Sequence, residues 1–455
     1  MNARQIIVAP AGADITSLQL AFGGACVAPP ERDLPIGYTV MAAIEYPLGH
    51  FSRVTFAGAE TLRVEPGRTL CRSDSLPVTI PAGARAAVKL FMAWEGGQVD
   101  FPLTSYGINT QEGEWLAAGT DLTDQTMTAA TAENTYPTPP YAGVGAGCAI
   151  YGTLSAAVPV LGILGDSISH GSGDYADPVW GGAAIERGVR AQIPVINVSC
   201  QAEDFAGYLG RPDGRRAFLD DAITHLVVSL GRNDVSMGRS GEEIAASLQH
   251  TIAPFLERGV RVFAVTVTPR TGSTDQYTTV RNQQTHHPDH ERARLAYNTW
   301  LRQNAQAVGL AGIFDWAHAV DPLDTGVWPA YGNGGHGAVG VATLSDGHIA
   351  HVRRARFSAG REHGGTGYPP DQTAHPCVVL RYPDDPIRSG DAIITCETDA
   401  DGVVMSYSVV EGGQYTVPPM VAPAGALTAD GTHPTGLGYN LMIAGSGFGL
   451  QAFTL

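Results

Sequence analysis

A serine, a carboxylate and a histidine stand in this chain where an acyl-transfer centre could use them. Gly165-Asp166-Ser167 follows the apolar run Val158 to Leu164, and far along the chain Asp430-Gly431-Thr432-His433-Pro434 sets an acid and an imidazole three residues apart. A serine hydroxyl is a poor nucleophile until an imidazole takes its proton, and the imidazole needs a carboxylate to fix its tautomer and orientation. Ser167, His433 and Asp430 can fill those roles. Between them, His225 to Leu230 reads as a buried strand that runs into Gly231-Arg232-Asn233-Asp234. Open α/β sheets bind ligands at the carboxyl ends of their strands. An Asn there can aim its side-chain N–H at a developing oxyanion.

These blocks, in this order, resemble the SGNH (GDSL) hydrolase superfamily, whose members are esterases, lipases and carbohydrate deacetylases. The resemblance implies a flavodoxin-like α/β core with Ser167 as nucleophile, His433 as base and Asp430 as orienting acid. It further implies that the Ser167 backbone N–H and the Asn233 side chain are oxyanion donors, and it calls for no cofactor. One block departs from the family. After the strand Ile193 to Val198 the family places a glycine whose N–H completes the oxyanion hole, whereas this chain reads Asn197-Val198-Ser199-Cys200-Gln201-Ala202-Glu203. Ala202 aligns with the missing glycine, with Ser199 as the alternative. A backbone donor survives a Gly to Ala change if φ stays negative. The nucleophile elbow of the α/β-hydrolases does not fit, because Gly165-Asp166-Ser167-Ile168-Ser169 lacks its second glycine.

Other polar residues invite weighing. His170 lies three residues past Ser167 and is a candidate substrate contact as well as an ordinary loop histidine. Asp166 and Asp234 are expected to hold local turns through backbone bonds. His286-His287-Pro288-Asp289-His290 gathers metal-ligand types, but Pro288 marks a helix start instead of one helical face, and no metal is expected. Trp94 and Trp115 are better read as core packing than as sugar platforms.

The elements that would position these residues change in kind along the chain. Residues 1–150 carry short apolar or alternating runs bounded by turn residues, such as Tyr38 to Tyr46, Leu76 to Ile80 and Ala86 to Trp94, and predict a jelly-roll-like β-sandwich. Pro137 to Pro140 with Gly143, Gly145 and Gly147 reads as a linker. Strands then alternate with helices at Glu242 to Arg258 and Pro288 to Val308, predicting a parallel sheet with helices on both faces. Ser167 and His433 are 266 residues apart, more than such a core needs. The catalytic domain is therefore assigned to 151–324 and 428–455, with a β-rich insertion over 325–427 that walls or lids the cleft. Within that insertion Gly364-Gly365-Thr366-Gly367-Tyr368-Pro369-Pro370 is echoed by Gly412-Gly413-Gln414-Tyr415-Thr416-Val417-Pro418-Pro419. The echo is similar to small β repeats of phage tail and other surface-binding proteins.

Composition narrows the partners. The 455 residues carry a formal charge of −16 and Lys89 is the only lysine, which argues against nucleic acid or an anionic membrane. The Arg353-Arg354-Arg356 cluster reads first as ordinary solvated charge. Six scattered cysteines without a Cys-x-x-Cys pair argue against a zinc site or a disulfide scaffold. No signal peptide is visible at Met1 to Ala11, and extracellular or virion-associated action is left open. The chemistry and the order of blocks predict a serine esterase acting on short acyl groups, with an O-acetylated carbohydrate as the preferred substrate. The alternatives are a lipase or general carboxylesterase on the same scaffold, and a glycan-binding surface protein with a vestigial hydrolase domain. β-rich inserts of this kind would also suit a homo-oligomer.

Overall fold

The computed structural model describes residues 1–26, 31–68, 70–94, 113–117, 119–120, 122–129, 148–174, 188–189, 192–211, 214–219, 222–355 and 364–455. The expected linker at 137–147 and Arg356 lie outside them.

At the centre is a five-stranded sheet in the order Val195–Asn197, Leu161–Gly165, His225–Ser229, Arg261–Val265, Gly312–Phe314. Every pair in it is parallel. Strand side chains alternate between faces. Leu164, Leu226, Val228, Val262 and Ala264 pack with Ile244, Leu248, Phe255, Tyr297 and Leu301 of the helices Gly241–Glu257 and Pro288–Asn304. Leu161, Ile163, Val227, Phe263 and Val265 pack instead with Trp316, Leu437, Met442 and Phe448. This is the α/β core expected from the alternation of strands and helices. Helix Pro288–Asn304 ends before Val308, and its buried face is partly polar. Asn298 brackets Val267 by accepting from its N–H and donating to its carbonyl, at 2.8 and 2.9 Å.

The N-terminal residues form two antiparallel sheets around a shared core that includes Leu18, Leu20 and Phe22 from one and Val40, Val88 and Leu90 from the other. The strand Ala149–Leu154 pairs with Ile15–Phe22. The first domain thus runs past the boundary expected at 150. Trp115 is buried in this region, with Lys89 Nζ 5.6 Å from its ring centre. Ala21, with the partly buried Leu70 and Tyr151, packs into the core on one face of the central sheet, so the N-terminal domain is docked on the catalytic one.

The inserted segment forms a six-stranded antiparallel sheet in the order His348–Arg354, Gly340–Ser345, Met420–Pro423, His375–Leu380, Ile393–Thr398, Val404–Glu411. Its two edges meet. Ile349 N–H donates to Gly412 O at 2.9 Å and Arg354 Nη1 to Val404 O at 3.2 Å, which curls the sheet towards a barrel.

The sequence echo has a structural counterpart. Val404 N–H donates to Gly364 O as Ile349 N–H does to Gly412 O, and Tyr368 N–H donates to Gly402 O as Tyr415 N–H does to Gly347 O. The hydroxyls of Tyr368 and Tyr415 accept from Ala338 N–H and Ala392 N–H at 3.3 and 2.8 Å. Each Gly-Gly-to-Tyr box therefore clamps the hairpin of the other half, and the insertion is a pair of interlocked repeats. Met420, Ala422 and Tyr382 join the catalytic core beside Leu427, Trp316 and Leu437, which ties the insertion to the central sheet.

Candidate active site

Gly165 ends its strand in register with Ser229, so Ser167 and the Gly231 to Asp234 block emerge side by side at the carboxyl edge of the sheet. Asp166 caps the short helix Ser167–His170, accepting from Ile168 N–H at 2.9 Å, which is the local role expected of it. Asp234 does something different. Both its oxygens accept from Phe205 N–H, at 3.2 and 3.3 Å, tying the block to the start of the helix Phe205–Leu209.

His433 Nε2 lies 2.8 Å from Ser167 Oγ, and its Nδ1 lies 2.6 Å from Asp430 Oδ2. The other Asp430 oxygen accepts from Thr432 N–H and His433 N–H, each at 2.8 Å. Burial raises the Asp430 pKa, but the His433 hydrogen bond and charge and these backbone bonds outweigh it and bring the pKa down to about 2. The carboxylate is thus ionised throughout the working range. A charge fixed at Nδ1 leaves Nε2 to accept a proton from Ser167.

The acid–base turn is braced from outside the motif. Gly431 O accepts from Thr271 N–H at 3.0 Å and from the indole N–H of Trp328 at 3.1 Å, and Thr428 Oγ1 accepts from Gly431 N–H at 2.9 Å. The Tyr439 hydroxyl lies 2.9 Å from both Ile168 O and Ser172 O, linking the helix after His433 to the loop that carries Ser167. Trp328, Thr428 and Tyr439 were not singled out in the sequence. A buried Trp where the insertion begins, and polar residues flanking the Asp-x-x-His block, were the only signals.

On the oxyanion side, Asn233 Nδ2 donates one N–H to Glu203 O at 2.8 Å and retains a second. Ser199 N–H is engaged by Asn197 Oδ1 at 3.0 Å. Among the described residues the N–H groups of Ser167 and Ala202 have no protein acceptor. Ala202 has φ +56°, so the negative φ supposed for it is corrected: the alanine occupies the left-handed region that favours glycine.

His170 lies beside Arg215, and its Nδ1 is buried without a partner. Burial, and then the Arg215 charge, press its pKa down to about 4, so it is neutral at working pH. His287 caps its helix through Nδ1, which accepts from Asp289 N–H at 3.3 Å. Arg353 and Arg354 each donate to a backbone carbonyl, Arg354 O and Val404 O.

Residues 163–336 match the GDSL-like lipase/acylhydrolase family, a span that ends before the Asp430 to His433 turn. No curated protein matches the chain. Among solved structures, the chain is similar to LAE5, an alpha/beta hydrolase enzyme from the metagenome of Lake Arreo, at 15% identity over 37% of this chain and 81% of that one, TM-score 0.28. It is also similar to AlinE4, an SGNH-hydrolase family esterase, at 16% identity over 35% and 76%, TM-score 0.25. A GDSL-like lipase from Bacteroides thetaiotaomicron follows at 10% identity over 36% and 70%, TM-score 0.26.

Proposed function

We propose that this chain, whose residues 163–336 match the GDSL-like lipase/acylhydrolase family, is an ester-hydrolysing serine enzyme of the SGNH type, that Ser167, His433 and Asp430 are its catalytic triad, and that it removes short acyl groups, acetyl above all, from carbohydrates. The observation that carries the triad is the unbroken chain of contacts from Asp430 Oδ2 through the His433 ring to Ser167 Oγ.

Ser167 Oγ attacks the ester carbonyl as His433 Nε2 takes its proton. The tetrahedral oxyanion is received by the N–H groups of Ser167 and Ala202 and the free amide proton of Asn233. Asp430 stabilises the imidazolium, which then protonates the leaving alkoxide. Water, deprotonated by His433, releases the acyl-enzyme and restores Ser167. Ala202 is preferred to Ser199 as donor because its N–H is unengaged.

The carbohydrate part of the reading rests on two β-rich additions packed against the core of the central sheet and on a sequence without an amphipathic lid segment of the sort that works at a lipid interface. Hydrolysis of p-nitrophenyl acetate by wild type and Ser167→Ala, at neutral to mildly alkaline pH, tests the mechanism. The variant should lose at least about 10³-fold in kcat, as removal of a triad nucleophile does. Full turnover in Ser167→Ala would sink the triad. A nitrophenyl ester series that peaks beyond acetate, with inert sugar acetates, would replace the carbohydrate reading with that of a general carboxylesterase.

A further inference from the structure

Ala202 and Glu203 form the loop that the mechanism above relies on for two oxyanion donors, and the anchor of that loop comes from another domain. Glu203 is 4% exposed, and its carboxylate pairs with Nη2 of Arg215, itself 2% exposed. Arg215 is held in turn by Glu31 of the N-terminal domain, which is 6% exposed. Glu31 Oε2 lies 3.4 Å from Arg215 Nη1, and its Oε1 accepts from Arg215 N–H at 2.8 Å. The backbone there is pressed close, since a Cβ at Gly214 would overlap the Glu31 carboxylate.

We infer that Glu31 is a positioning residue for the oxyanion hole, acting through Arg215 on Glu203. The inference rests on the proposed roles of Ala202 and Asn233. The path is short. Glu203 follows Ala202 directly and its N–H donates to Cys200 O at 3.3 Å, so the place of Glu203 constrains the turn that carries the Ala202 donor. Its carbonyl is the group that orients the Asn233 amide, at 2.8 Å. Removing one carboxylate from a buried guanidinium held by two leaves the remaining pair free to rearrange, because buried ion clusters are geometrically demanding. A donor displaced by a fraction of an ångström loses transition-state stabilisation while substrate binding is nearly untouched.

A contact that merely glued two domains together would act otherwise. The exposed bridge between Asp33 and Arg211, at 2.5 Å, supplies the comparison, since it joins the same domains without touching the Glu203 loop.

The test uses the full chain. Glu31→Gln and Glu31→Ala are compared with Asp33→Ala on p-nitrophenyl acetate, with the folded fraction followed by circular dichroism. Glu31→Ala should lose about tenfold or more in kcat with KM within about twofold, a share of the 10²–10³ that a whole oxyanion donor is worth. Affinity for a small alkylboronic acid, whose tetrahedral serine adduct needs the oxyanion donors, should fall in parallel. Glu31→Gln, which keeps an acceptor for Arg215 N–H, should recover part of the loss, and Asp33→Ala should leave kcat unchanged. Should Glu31→Ala not fold, Glu31→Gln decides alone. Native kcat and native boronate affinity in a folded Glu31 variant overturn the inference, provided Ser167→Ala is dead. An active Ser167→Ala would overturn the catalytic reading itself.

Discussion

Two β-rich regions flank the same catalytic sheet, and they hold its site by different physics. The N-terminal domain reaches the Ala202-Glu203 loop, the proposed oxyanion side, with buried charge, through Glu31, Arg215 and Glu203. The insertion reaches the acid–base turn with apolar packing and neutral hydrogen bonds, among them Trp328 to Gly431 O and the Met420 and Ala422 side chains packed in the core. Charge clusters fix geometry at a desolvation cost and fail sharply when one member is lost, whereas packed neutral contacts give way gradually. The carboxylates nearest the two halves of the site run opposite to that division. On the acid–base side Asp430 is brought down to about 2, whereas on the oxyanion side Asp234 is raised to about 7 by burial and then by the Asp204 charge.

The sharpest way to break the acid–base side is Gly431→Ala. Gly431 has φ +81°, and a Cβ there would overlap Thr271 O, the backbone of the loop that braces the turn. The turn would have to move, carrying Asp430 and His433 with it. Displacements of about 1 Å cost roughly 100-fold in rate. A loss of that size in kcat/KM with the fold intact is expected, and activity within threefold of wild type would show that the turn relaxes without moving His433.

On the oxyanion side a pH experiment separates burial from charge. The folded pKa of Asp234, about 7, lies above the ordinary 3.8, so its contribution to stability is full below about pH 4 and is lost as pH rises through 7. Asp234→Asn removes that titration. The fall in Tm between pH 5 and pH 8 should become shallower without vanishing, because Asp166, raised to about 6 by burial, still titrates there. Asp430 runs the other way: its depressed pKa contributes stability above about pH 4 that is lost towards pH 2, outside this window. An unchanged pH slope in Asp234→Asn would mean that its carboxyl is not held neutral.

What the sequence disclosed follows from how locally each feature is encoded. Ser167, Asn233, Asp430 and His433 were legible because each sits at a strand end or in a short block with its own turn chemistry. The central sheet was legible from runs such as His225 to Leu230. Trp328, Tyr439 and the Glu31 to Glu203 cluster were not, since their partners lie 103, 271 and 184 residues away or are reached only through another side chain. The Gly-Gly-to-Tyr echo was visible, but not that each copy would clamp the other's hairpin. The role of Asp234 was not legible as a local one, because the backbone N–H it accepts from opens a helix 29 residues earlier.

The smallest expected effect bears on the one block where the chain departs from the SGNH pattern it resembles. Ala202 sits at φ +56°, where an L-residue with a Cβ costs about 1–2 kcal/mol. Glycine would relieve that cost, but it gives back roughly 0.5–1 kcal/mol through the greater freedom of its unfolded chain. The net gain of Ala202→Gly is then between about 0 and 1.5 kcal/mol, a rise in Tm of at most about three degrees in a chain of this size. The N–H of residue 202 points the same way in either case, so kcat should stay within about twofold. If Ala202→Gly instead cost tenfold in kcat, the methyl group would be helping to hold the loop that Glu203 anchors, and the hole would owe its rigidity to the alanine as well as to the buried charges beneath it.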